Sequence, residues 1–251
     1  MISLRLPITA TWLVLAAIAM LLAGCGGSSY TSSIGATVGA DKPISSAQAV
    51  AYANAVNLRA ADVPRLQAAR LKPRAETAAG PFGAAIDRCE SAAFRAGVVF
   101  GISSQRFVHL SSPLQSVGSG VYYFKEDALA HEYLAAADSP LFTACVKTVA
   151  SNEPRTITRE GSKVAEPMFS DARLSTLRVS LPGVQAYGLR LAAHSPVSGP
   201  GGSEAYTDFL SFVKGDAVIT LTAIGKTHPF PVGSERRLLA LLYSRAEAHK
   251  L

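Results

Sequence analysis

Five histidines, three cysteines and a scatter of serines are the groups in this 251-residue chain that could do chemistry. His131-Glu132 opens HEYLA on a helix-like stretch and invites comparison with the zinc motif H-E-x-x-H. The second ligand would stand at position 135, which is Ala135, so the two-histidine face is missing and a solvated helix pair is expected. Ser211 to Lys214 spells SFVK and matches S-x-x-K, but it lies in strand-like sequence beside a turn, whereas the acyl-transfer version needs a helix start and partner motifs. Gly199 to Gly202 is glycine-rich yet precedes a strand, so it lacks the helix N-terminus that would hold a phosphate. His109, His131, His194, His228 and His249 are isolated from one another, there is no C-x-x-C and no G-x-S-x-G. No catalytic residue, cofactor or metal ligand is therefore assigned. A hydrolase with dispersed catalytic residues stays open, and would require His109 or His194 to meet carboxylates and a serine in space.

The cysteines say more. Residues 1–24 carry one charge, Arg5, and a nearly unbroken apolar run from Trp12 to Ala23. A run of about 12 residues fits the apolar region of a secretory signal and falls short of the roughly 20 needed to span a bilayer. It ends Leu22-Ala23-Gly24-Cys25 and turns at once into glycine and serine. That junction resembles the lipobox of bacterial lipoproteins. The resemblance implies cleavage before Cys25 and attachment of a diacylglycerol to its thiol, with acyl chains such as palmitate. Each buried methylene contributes about 0.8 kcal/mol, and two or more chains anchor stably. Residues 25–43 then form a lipidated, flexible tether. Its Gly/Ser/Thr/Ala stretch reaches roughly 20–25 Å, enough to hold a domain clear of the headgroups.

Export puts Cys89 and Cys145 in an oxidising compartment, where an even pair points to a disulfide. Such a bridge would close a loop of about 57 residues, worth on the order of 4 kcal/mol in the chain-entropy treatment. Two buried free thiols are the alternative. The formal charge of +6, or +5 without Arg5, comes from scattered Lys and Arg. Even the densest cluster (Arg65, Arg70, Lys72, Arg74) has no interleaved aromatics, which argues against nucleic acid.

The elements that must position these groups follow from periodicity and caps. Ser45 or Ser46 caps a helix over 47–56, and a turn or short helix follows around Asp62 and Pro64. Residues 72–83 read as loop, and 84–93 as a short helix carrying Cys89. Strand-like runs cover 97–102, 106–110 and 120–124, rich in Val, Phe and Tyr. A helix over 126–137 precedes Ser139-Pro140, an N-cap followed by proline at the first helical position. In the next helix Phe142, Cys145, Val146 and Val149 recur at helical spacing, which predicts a buried face for Cys145. Strands are expected over 174–181, 186–193, 205–213 and 217–224, with Lys214-Gly215-Asp216 as a hairpin turn and 195–203 as a loop. After HPFP (228–231) a helix over 234–248 carries Leu238, Leu241 and Leu242 as its apolar stripe. Runs of strands with flanking helices argue for α+β: one antiparallel sheet covered by helices, in a single domain over 44–251 behind the signal and tether.

SSQRF (103–107), VYYFKEDALAHEYL (121–134), SPLFTAC (139–145) and the closing stretch FLSFVKGDAVITLTAIGKTHPFPVGSERRLLALL (209–242) together resemble the exported, PknH-like sensor domains and related actinobacterial lipoproteins. The resemblance implies a sheet with helices over it and a sensing or interaction role. It supplies no catalytic residues. With no kinase portion present, any signal would be relayed by a partner. The expectation is a non-enzymatic lipoprotein, lipid-anchored on the extracytoplasmic face of a membrane, that binds or senses a small molecule, lipid or envelope polymer. A structural or assembly partner of the cell envelope is the alternative.

Overall fold

Alternating apolar residues in the second half of the chain fold as long antiparallel strands, and their two faces are covered by different helices. The computed structural model describes residues 44–69, 88–90, 97–109, 115–152, 154–159, 162–167, 170–195 and 203–249. The expected signal peptide, Cys25, the tether, the loop over 72–83 and most of the helix over 84–93 lie outside the described residues. All described residues belong to one compact unit, Thr31–Leu251.

In chain order the elements are α1 (Ser46–Val56), a 3-10 turn (Ala60–Asp62), β1 (Gln67–Ala68), β2 (Val98–Ser103), β3 (Phe107–His109) and β4 (Gln115–Phe124). Then come α2 (Asp127–Ala137), α3 (Pro140–Asn152), β5 (Pro154–Arg159), β6 (Ser162–Pro167), β7 (Ser170–Thr176), β8 (Ala186–Ser195), β9 (Ser203–Lys214), β10 (Ala217–Lys226) and α4 (Val232–Ala248). The main sheet runs β1-β3-β4-β10-β9-β8-β7, with β2 also paired to β4, and β5-β6 form a separate hairpin. Every pairing is antiparallel, so the α+β expectation holds.

Caps set the helix starts. Ser45 forms a capping box with Gln48, each side chain meeting the other's backbone N–H. Ser139 Oγ accepts from the Phe142 N–H at 3.1 Å, as its sequence position predicts. α1 and α4 cover one face of the sheet, over Val117, Val121, Tyr123, Phe212, Ile219 and Leu221. α2 covers the other face, over Phe124, Leu189, Val213 and Val218. In β10, Ile219 and Leu221 serve the first core and Val218 the second, the consequence of a two-residue side-chain period.

Several expectations need correction. β4 starts five residues before the predicted strand, because Gly118, Ser119 and Gly120 pair rather than turn; the Tyr122 ring lies over Gly120 and Gly101, where an added Cβ would sit 3.1–3.2 Å from it. The β5-β6 hairpin was not anticipated. Its register sets Ile157 opposite Val164, and the polar residues around that single apolar pair hide the alternation. On α4 the buried stripe is Glu235, Leu238, Leu239, Leu242 and Ala246, while Leu241 is half-buried.

The strand expected over 174–181 is β7 only as far as Thr176. Beyond it, Leu177, Val179 and Leu181 still alternate and pack onto the α1/α4 core, but pairing with β8 ends at the Leu177 N–H, which donates to the Gly188 carbonyl at 2.8 Å. Gly188 makes this possible. A Cβ there would lie 2.7 Å from the Leu177 carbonyl oxygen and 2.7 Å from Val179 Cγ2, so only glycine lets the 177–179 backbone cross so closely. A second close approach fixes the start of α4: an added Cβ at Gly225 would stand 2.1 Å from the His228 carbonyl oxygen, with Phe230 buried beside it. The HPFP stretch is thus a pinned crossing that delivers α4 to the sheet.

Candidate functional site

The structure separates the sequence candidates rather than gathering them. His131 and Glu132 are exposed on α2. His131 Nδ1 meets Gln185 Oε1 at 2.7 Å and Nε2 meets Asp127 at 3.3 Å, so the pair belongs to the helix surface. Ser211 is buried within β9, and Lys214 Nζ donates to Glu247 Oε1 at 2.6 Å instead of approaching the serine. His109 ends β3, and His228 and His249 are exposed. His194 stands in register between Ser170 on β7 and Glu204 on β9. The Glu204 carboxylate is already engaged: the Tyr206 hydroxyl and the Arg173 guanidinium both donate to it. The Tyr206 bond, followed by the Arg173 charge and hydrogen bond, outweighs the slight burial and lowers its pKa. Among the described residues no hydrogen bond joins His194 to a hydroxyl, and no group of three His, Cys, Asp or Glu could hold a metal. The Gly199–Gly202 loop lies outside the described residues.

Cys89 and Cys145 are joined by a disulfide, with Cα atoms 5.7 Å apart. The bridge ties the short helical turn at 88–89 to α3. The helical spacing predicts a buried face for Cys145; it is half-buried, as are Phe142 and Val149, and the buried residues of α3 are Val146 and Ala150. No described helix is long and apolar enough to cross a membrane.

A different set of residues converges on the α4 side of the sheet. The β8-β9 register sets Arg190 opposite Asp208. Arg190 Nε donates to Oδ1 and Nη2 to Oδ2, both at 2.7 Å, a two-point guanidinium–carboxylate pair. The Asp208 side chain is 1% exposed and that of Arg190 19%. Glu235, from the first turn of α4, is 3% exposed and closes the cluster from above. Burial, then the hydrogen bond to Asp208 and that residue's negative charge, push the Glu235 carboxyl up to about 9, with Arg190 acting in the opposite sense. That upward shift favours the uncharged form of Glu235 beside the Asp208 carboxylate. Its buried Oε1 has no hydrogen-bond partner among the described residues. The cluster carries one positive and one negative charge, which limits the cost of burying it.

Glu235 also forms part of the wall of a cavity of about 550 Å³. The 177–181 segment makes one side, α4 from Val232 to Ala240 the other, and Leu210 of β9 contributes from the sheet. Seven of its eleven lining residues are apolar; Ser180, Arg178, Arg236 and Glu235 are the polar ones. Arg178 and Arg236 are exposed, and neither makes an ion pair among the described residues. A smaller depression of about 220 Å³ lies beside the disulfide, around Tyr133 and Phe142.

Sequence reasoning missed this site. Charged residues at Arg190, within YGLRLAA, and Asp208, within AYTDFLSFV, interrupt otherwise apolar strands, and that interruption was the available signal. Glu235 had none, since an acid in the first turn of a helix is ordinary. The far end of α4 is held by Arg245, which donates to Asp62 at 2.7 and 2.8 Å and to the Asn57 carbonyl at 3.0 Å. Burial acts to raise the Asp62 pKa, but hydrogen bonds from Arg245 and the Arg59 backbone N–H, with the charges of both arginines, bring it below its usual value.

No protein-family model matches the chain, and no curated protein matches it. Among solved structures, the chain is similar to the crystal structure of the extracellular domain of PknH from Mycobacterium tuberculosis, with a TM-score of 0.45 and 12% sequence identity, over 83% of this chain and 99% of that one.

Proposed function

We propose that this chain is a non-enzymatic, extracytoplasmic binding or sensing module that takes a small molecule into the cavity between residues 177–181 and α4. One observation carries the reading: a largely apolar cavity of about 550 Å³, within the usual range of small-molecule sites, with a few polar groups placed on its wall. The Cys89–Cys145 disulfide supports an oxidising compartment, because such bridges persist outside the cytosol. The lipobox-like Leu22-Ala23-Gly24-Cys25 supports a diacylglyceryl anchor on Cys25, with residues 26–43 as the tether. The anchored domain would report ligand occupancy to an envelope partner through α4, which carries both the cavity wall and the Arg245–Asp62 contact.

The test is titration of residues 26–251 with Nile red, an uncharged apolar dye. One saturable site is expected, lost in Ala240→Trp and in Val179→Trp, which fill the cavity from opposite walls. No saturable binding, or binding unchanged in both variants, would overturn the reading.

A further inference from the structure

We infer that the cavity is built for a single-chain anionic amphiphile, with its chain along the apolar wall and its anionic head at Arg178 and Arg236. This rests on the small-molecule reading above and narrows it to a chemical class. The wall argues for a chain: Leu177, Val179, Leu181, Leu210 and Leu239 are aliphatic, and no aromatic ring is in the lining, so apolar contact along the trough is with aliphatic carbon. The shape agrees. Residues 177–181 run extended beside two turns of α4, so the space is a trough roughly 12 Å long, at 1.5 Å of helix rise per residue from Val232 to Ala240.

The charge argues for an anion. Both guanidiniums are exposed, both line the trough, and neither has a carboxylate partner among the described residues. They come from opposite walls, one from the crossing segment and one from the helix, so a head between them would meet planar two-point donors from both sides. The one acid in the lining, Glu235, is buried beside the Arg190–Asp208 pair rather than exposed with the two guanidiniums, and its raised pKa favours the uncharged form, so it opposes this positive field little. Free inorganic phosphate or acetate would satisfy the guanidiniums but leave the aliphatic wall wet. An uncharged lipid would do the converse.

The experiment compares decanoic acid with decanoyl glycerol, whose chains match the length of the trough, both below their aggregation concentrations, by displacement of Nile red from residues 26–251. Inorganic phosphate serves as the chain-free control. The acid is expected to bind at least tenfold more tightly than the neutral ester, with phosphate giving no displacement. The double variant Arg178→Gln/Arg236→Gln alters only exposed side chains and should remove the preference for the acid while leaving the ester unchanged. Equal binding of acid and ester, or a preference that survives the double variant, overturns the anionic inference while the cavity reading stands. Displacement by phosphate alone would mean a simple anion site and would also overturn it. Failure of Nile red to bind would instead remove the underlying reading.

Discussion

Replacing Glu235 with glutamine should stabilise the protein, by an amount that grows with pH. The reason is linkage. A group whose folded pKa is raised contributes stability that is fully present below its unfolded pKa and is lost as pH rises toward the folded value. For Glu235 that window runs from the ordinary 4.5 up to about 9. Each pH unit within it costs about 1.4 kcal/mol, so at pH 7 the native state carries a penalty of about 3 kcal/mol from this one carboxyl. Glutamine carries no charge in either state, and its amide N–H can donate to Asp208. Glu235→Gln should therefore match the wild type near pH 4.5 and exceed it at pH 7 by up to about 3 kcal/mol. For a domain of this size, that corresponds to roughly 2–4 °C of Tm per kcal/mol. Calorimetry or chemical denaturation from pH 4.5 to 8.5 reads both the offset and the slope. Parallel curves for the two proteins, or a variant less stable at pH 7, would show Glu235 to be ionised in the fold and would refute the reasoning. Asp208→Asn should behave oppositely: the half-buried Arg190 loses its ionic partner and one of its two charge-assisted hydrogen bonds, so the loss should be about 1.5–3 kcal/mol by the same assay.

Gly188→Ala should push the 177–179 backbone off β8, costing about 1–3 kcal/mol and weakening Nile red binding although residue 188 is not in the cavity lining; unchanged affinity would separate that crossing from the site. Cys25→Ser should release the protein from membrane fractions and abolish incorporation of labelled palmitate, whereas unchanged membrane association would contradict lipid anchoring. Replacing both Cys89 and Cys145 with serine should destabilise by about 4 kcal/mol, measured by denaturation under non-reducing conditions, since the bridge spans a sequence separation of 56. A loss below about 1 kcal/mol would mean that the helices hold α3 in place without it.

Local chemistry made much of the fold readable. The Ser139-Pro140 helix start, the Gly215-Asp216 turn and the pairing of Cys89 with Cys145 each depend on residues adjacent in sequence or on simple parity, and each stands as expected. Where the chain departs from expectation, a tertiary contact decides. Leu177, Val179 and Leu181 have strand periodicity, but their partners are the core beneath α1 and α4, and the glycine that admits them stands seven residues or more further on at position 188. The hairpin β5-β6 has too few apolar residues for its alternation to stand out. The cavity escaped notice for a related reason. Its walls come from the segment that follows β7, the middle of β9 and the first turns of α4, and no spacing within any single element marks their convergence. Arg190 and Asp208 are 18 residues apart, and only the β8-β9 register makes them partners.

The most direct test of the account is native mass spectrometry of the full chain after export and gentle purification, with Ala240→Trp prepared in parallel. The account predicts a stoichiometric extra mass on the wild-type protein, additional to the Cys25 modification, that is absent from the variant. A protein whose mass is fully explained by sequence, disulfide and anchor, or an extra mass retained unchanged by Ala240→Trp, would contradict the claim that the trough beside α4 is where this module binds its ligand.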